Sequence, residues 1–161
     1  SGNFLIASTS RVQLEGRTGS QCYNLSNGTI SKLNLTQGRS YKLTFWAKSG
    51  TVSINGTSLT PYSLETIEGW QYYETDIAGS STSTVVIAGT ALIDELRFYP
   101  SNARMTTCTY SPLNGVTSQT DENSRTTYFD YDALGRLKTI KDAQRNLVKL
   151  IKYKYKDDVE E

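Results

Sequence analysis

Few side chains in this sequence are suited to covalent chemistry. The 161 residues include no histidine, which removes Ser-His-Asp and Cys-His catalysis, histidine metal sites and the usual near-neutral proton shuttle. The two cysteines, Cys22 and Cys108, stand 86 positions apart, so they form neither a metal knuckle nor a redox Cys-x-x-Cys. They could pair in an oxidising compartment, but spacing leaves that open because a disulfide depends on the folded Cα separation. Glycoside hydrolysis would need a raised-pKa acid facing a second acid. Glu65, Glu68, Glu74, Asp76 and Glu95 are available, yet nothing in their spacing singles out a pair. The expectation is a chain that is not an enzyme.

Aromatic side chains are the better candidates. In "YKLTFWAK" the residues Tyr41, Leu43, Phe45 and Ala47 alternate with Lys42, Thr44, Trp46 and Lys48, the period of a half-buried antiparallel strand. With Tyr41, Leu43 and Phe45 toward a core, Trp46 faces outward between Thr44 and Lys48. An exposed ring flanked by polar groups suits the apolar face of a sugar. The alternative is that Trp46 packs beneath a covering loop or against the later part of the chain, the commoner use of aromatic area. Trp70 and Tyr72 in "GWQYYE" follow the same reasoning, and Tyr62 in the preceding loop could line a rim. The candidate ligand-binding residues are therefore Trp46, Lys48, Trp70, Tyr72 and Tyr62.

The elements that must position them read as short strands. Asn55-Gly56 after "TVSI" is a tight-turn signal, and Asn27-Gly28, Gln37-Gly38, Ser49-Gly50, Glu68-Gly69 and Ala78-Gly79 mark further turns. Strands are expected around residues 22–25, 30–35, 41–48, 52–54, 70–77, 84–88 and 92–99. Strands at this spacing, rich in Ser, Thr and Gly, predict an all-β sandwich of two packed antiparallel sheets over residues 1–100 with almost no helix. Leu92, Asp94, Leu96 and Phe98 share one side of its last strand, with Leu92, Leu96 and Phe98 buried. Asp94 then faces the core, where a carboxylate must be paired, hydrogen-bonded or metal-bound. Backbone N–H groups of the loop near Gly16–Gly19 are one source of such bonds.

Residues 101–161 differ. Tyr110, Tyr131 and Tyr153 recur at intervals of 21 and 22, and Gly115 and Gly135 are 20 apart, a period that marks a repeat too small to bury its own core. Each unit reads as strand, turn at the glycine, strand, turn at Asp-x-x, strand. Leu137, Ile140, Leu147 and Ile151 offer apolar contacts on one face. Arg136, Lys138, Lys141, Lys149, Lys152, Lys154 and Lys156 form a basic run. Several alternate with apolar residues along strands, so they are read as edge protection and not as a nucleic-acid surface, in keeping with a net charge of +1. No apolar run approaches the roughly 20 residues of a membrane span. The opening Ser-Gly-Asn, without a leader, is expected of a processed or excised piece.

"FDYDALGRLKTIKDAQRNLVKLIKYKY" resembles the YD repeat of RHS-type bacterial proteins, matched by Tyr131, Asp132, Gly135, Arg136 and Leu137, with a weaker copy from Tyr110 through Gly115 to Asp121. Ser124 and Arg145 stand where the family has a second glycine, and glycine tolerates positive φ better than either. The resemblance implies arrays that curl into a hollow shell able to enclose a toxin. Two repeats cannot close one, so the chain is expected to be a fragment or remnant of a larger YD-repeat chain.

"EGRTGSQCYNL", "GRSYKLTFWAKSG", "GWQYYE" and "LIDELRFYP" are similar to jelly-roll, galactose-binding-like carbohydrate-binding modules. That resemblance implies a structural calcium ion as the other candidate partner of Asp94, calcium preferring several oxygen ligands. In the bacterial setting the sequons at Asn24, Asn27, Asn34 and Asn55 reflect Asn- and Thr-rich turns. The combined expectation is a β-sandwich at 1–100 followed by a YD-repeat meander at 101–161, secreted or at the cell surface, binding a glycan or another surface component. The alternative is a structural cap or starter of the repeat shell with no small ligand. Edge pairing of the last strand, Leu147 to Tyr155, would make a homodimer.

Overall fold

A computed structural model describes residues 4–5, 11–13, 16–79 and 84–154. Tyr155 and Lys156, which the expected last strand and basic run include, lie outside these residues. The described residues are all-β apart from one 3-10 turn at Leu25–Asn27, and every strand pair is antiparallel. No helix among them is long and apolar enough to cross a membrane. Two units are present, Ser1–Met105 and Thr106–Glu161.

Among the described residues the first unit has nine strands: β1 (Arg11–Gln13), β2 (Gln21–Asn24), β3 (Ile30–Lys32), β4 (Ser40–Lys48), β5 (Val52–Ile54), β6 (Thr57–Ser58), β7 (Trp70–Ala78), β8 (Val85–Gly89) and β9 (Leu92–Pro100). They form a five-stranded sheet, β1-β2-β9-β4-β7, and a four-stranded one, β3-β8-β5-β6. Leu43, Phe45, Ala47, Tyr73 and Ile93 of the larger sheet pack with Ile30, Val52, Val85 and Ile87 of the smaller, so the two layers share one core. Each side chain of this size stabilises the fold by roughly 1.5–3 kcal/mol on burial. The β5–β6 hairpin turns at Asn55 (φ 50) and Gly56 (φ 82), the pair of positive φ values that a two-residue turn matched to strand twist requires.

Strand β9 departs from the alternation expected of it. Trp46 pairs with Asp94, but Thr44 pairs with Arg97, so β9 has one residue more than β4 across this stretch. Glu95 lies in the left-handed region (φ 52), and the bulge reverses the faces beyond it. Ile93, Leu96 and Phe98 therefore share the core side, whereas Leu92 joins a different cluster on the other face. The expected set of Leu92, Asp94, Leu96 and Phe98 is thus split, and Asp94 does not face the sandwich core. Leu43 and Phe45 are fully buried, while Tyr41, Leu96 and Phe98 are only partly buried against the core.

The second unit is a consecutive meander of β10 (Thr107–Ser111), β11 (Gly115–Thr120), β12 (Thr126–Tyr131), β13 (Leu137–Lys141) and β14 (Leu147–Leu150). Three of its turns have the same construction. Asp121, Asp132 and Asp142 each accept, through Oδ1, the backbone N–H groups two and four residues on, at 2.8–3.0 Å. In each, the fourth residue is left-handed: Ser124 (φ 63), Gly135 (φ 74) and Arg145 (φ 65). The turns at Ser124 and Arg145 therefore keep the glycine geometry without glycine. The aspartate's two backbone hydrogen bonds offset a left-handed backbone that costs a side-chain-bearing residue about 1–2 kcal/mol.

Between the turns, tyrosines tie repeat to repeat. Tyr131 donates its hydroxyl hydrogen to the Val116 carbonyl at 2.7 Å, and Tyr153 to that of Leu137 at 2.9 Å. The expected single apolar face does not form. Ile140 stands opposite Lys149, but Lys141 opposite Leu147, so an extra residue in β14 puts Leu147 on the face away from Ile140, and β14 is exposed throughout.

Two outcomes test these turns. A Cβ at Gly135 would meet nothing closer than the Leu113 carbonyl, at 3.7 Å, so Gly135→Ala is expected to cost only its backbone conformation, about 1–2 kcal/mol in denaturant unfolding. The Arg136 N–H and guanidinium hold the Asp132 carboxyl below the ordinary carboxylate range. A depressed folded pKa gives stability that is present above the unfolded value, about 3.9, and is lost as pH falls through the folded one. The melting temperature of Asp132→Asn is therefore expected to lie below wild type at neutral pH, with the gap closing on acidification below about pH 4.

Candidate functional site

The sequence candidates converge on one surface, the face of the β1-β2-β9-β4-β7 sheet turned away from the sandwich core. Strand alternation carries Trp46 and Thr44 there from β4, Trp70 and Tyr72 from β7, and Leu92, Asp94 and Arg97 from β9. Trp46, Trp70 and Cys22 form a second apolar cluster, with Ile67, Tyr72 and Leu92 packed against it. Trp46 thus faces away from the main core, as its alternation requires. It is not exposed: Trp46 is 7% and Trp70 3% accessible.

Two loops close this face. The loop before β2 lays the Arg17 guanidinium over Trp46, 3.8 Å from the ring centroid, and ties it to Glu95 at 3.2 Å. Both charged side chains are almost wholly buried. Asp94 captures the same loop, its Oδ2 accepting the Thr18 N–H at 2.9 Å while Oδ1 accepts the Glu95 N–H at 2.7 Å. Gly16 is required at the fold-back, since a Cβ there would lie 2.7 Å from the Gln21 carbonyl oxygen. The second loop, between β6 and β7, is fastened by the Tyr62 N–H to the Tyr72 carbonyl at 2.8 Å and by reciprocal 2.9 Å bonds between Ile67 and Trp70.

Beside these loops lies a polar strip. Glu74 pairs with Lys42 and accepts the Tyr72 hydroxyl at 2.8 Å. Burial pushes the Glu74 carboxyl up, but the bonds from Lys42 and Tyr72 outweigh it and hold it below the ordinary range. The same pairing raises Lys42. Asp94 goes the other way, because burial pushes its carboxyl up more than its N–H donors pull it down. Of the ligand candidates, Tyr62 alone stands out into solvent, 71% accessible and edge-on to the half-buried Tyr72. Lys48 reaches to 5.9 Å from the Trp70 centroid, the outer limit of a cation–π contact.

A calcium ion does not fit at Asp94. Both carboxylate oxygens are engaged by N–H groups, and among the described residues no group of three or more His, Cys, Asp or Glu could hold a metal. The backbone reading of Asp94 is the one its geometry supports. Cys22 is buried and Cys108 is exposed. Sequence reasoning missed Arg17 and Arg97, the largest fully buried side chains of this face. Arg97 would have been found from the β9 bulge, but Arg17 leaves no periodic signal because it sits in a loop.

Comparison with known proteins bears on the second unit. Residues 110–147 match the RHS Repeat family, a span from Tyr110 through all three aspartate turns to Leu147. No curated protein matches the chain.

The closure of the face rests on Asp94. Asp94→Ala would leave the buried Thr18 N–H without its acceptor, at a cost of about 1–3 kcal/mol. Denaturant unfolding is expected to show that loss, together with a red shift of tryptophan emission as the loop lifts from Trp46. An unchanged emission spectrum would show that the loop is held by other contacts.

Proposed function

We propose that this chain is a non-catalytic structural module of a secreted or cell-surface YD-repeat protein, in which a jelly-roll, galactose-binding-like sandwich precedes the repeats and takes no small ligand. The observation that carries this reading is the burial of Trp46 beneath Arg17. Both tryptophans of the candidate set are used as packing, and the Arg17 that covers Trp46 is paired with Glu95. The match of residues 110–147 to the RHS Repeat, and the congruent turns within it, support the assignment of the second unit to a repeat strip belonging to a larger chain. The sandwich then serves as the cap or starter of that strip.

Glycan binding would rest on Tyr62, the one exposed ring of the candidate set, and the two readings separate by experiment. Trp46→Ala is expected to lower stability by about 3–5 kcal/mol, the cost of emptying a packed aromatic site, and the intact chain is expected to show no retardation in affinity electrophoresis through polysaccharide gels. Retardation that is lost in Tyr62→Ala at unchanged melting temperature would overturn the structural reading.

A further inference from the structure

The two outer edges of the repeat sheet are built differently. Strand β14 is guarded. Its extra residue, Val148, makes a bulge, because Lys149 and Leu147 pair with consecutive residues of β13, and the exposed Lys149, Lys152 and Lys154 lie on and just beyond it. Bulges and lysines are two of the devices that keep edge strands from pairing. Strand β10 has neither. At its own irregularity the extra residue, Thr117, belongs to β11, since Thr109 pairs with Ser118 and Tyr110 with Val116. The edge Thr107–Ser111 is therefore unbroken, and Thr-Cys-Thr-Tyr-Ser carries no charge.

Hydrogen-bond alternation says which groups this edge presents. Asp121 donates its N–H to the Arg125 carbonyl on the β12 side of β11, so Ser118 and Thr120 turn toward β10. Their partners Thr107 and Thr109 bond inward, and the N–H and C=O groups of Cys108 and Tyr110 point out from the sheet. Both side chains are exposed, Tyr110 at 70%. Tyr110 also begins the tyrosine series, and where Tyr131 and Tyr153 reach a carbonyl of the strand before them, it has no preceding strand in its sheet among the described residues.

We propose that the outer edge of β10 pairs antiparallel with the same edge of a second copy of this chain, each Tyr110 hydroxyl donating to a carbonyl of the other copy. An uncharged edge is complementary to itself, as a two-fold contact demands, and β-augmentation supplies the backbone bonds. The pairing goes beyond the structural reading above and does not depend on it. It also moves the self-pairing edge from β14, where the lysines of two copies would meet, to β10.

Sedimentation velocity of the intact chain tests it. The expected result is twice the monomer mass at the highest soluble concentration. Cys108→Pro removes an outward N–H, a change edge strands accept, and Tyr110→Lys places like charges across the two-fold axis. Both are expected to give monomers with the wild-type circular dichroism, whereas Lys149→Glu on β14 is expected to leave the dimer intact. Should Cys108→Pro unfold, Tyr110→Lys decides alone. A chain that is monomeric at every concentration, a dimer that survives Tyr110→Lys, or one that Lys149→Glu dissociates would overturn the proposal.

Discussion

Glu95 adopts a left-handed backbone in the middle of the pairing between β9 and β4, and the outer face of the sandwich depends on it. Without that extra residue, Asp94 and Leu96 would share a side, and either the carboxylate would enter the main core or Leu96 and Phe98 would leave it. With it, Ile93, Leu96 and Phe98 stay in the core while Asp94 and Glu95 reach the loop that carries Arg17 and Thr18. A carboxylate buried without partners is costly, and one that accepts two N–H bonds is tolerable. The bulge thus turns a destabilising residue into the anchor that closes the loop over Trp46. The left-handed conformation itself costs about 1–2 kcal/mol, a cost carried in exchange for two cores on one sheet.

The second unit is held by short-range bonds. Each aspartate turn closes within five residues, and each tyrosine rung spans fifteen or sixteen. Few long-range contacts are needed to set the register, which suits a repeat that buries little on its own. Stacked cations add to this framework, with Arg136 over Tyr153 at 4.2 Å and Arg145 over Tyr128 at 4.0 Å. Arg145 therefore holds a left-handed turn position and places its side chain on a ring that glycine could not cover.

What the sequence made legible follows the range of the forces involved. Strands β2 to β5 and β7 to β9 were readable because period two and the Asn-Gly and x-Gly turns are local. The repeat was readable because Tyr, Asp and Gly recur. The outward direction of Trp46 was readable as well, since β4 is regular on both sides of it. Its burial was not, because the covering Arg17 lies 29 positions away in a loop without pattern. The face of Asp94 was misread for a different reason. Alternation extrapolates only through a regular strand, and nothing in "LIDELRFYP" announces that Glu95 will leave the β region. Ser124 and Arg145 show the converse, where an aspartate three positions earlier imposes a geometry their own preferences oppose.

Closure of the outer face can be read directly by iodide quenching of tryptophan fluorescence, because the chain has two tryptophans and both lie on that face beneath its loops. The native chain is expected to emit at short wavelength and to resist quenching until denaturant unfolds it. Quenching of the native chain as strong as that of a free indole would contradict the closed face, and with it the packing role assigned to Trp46.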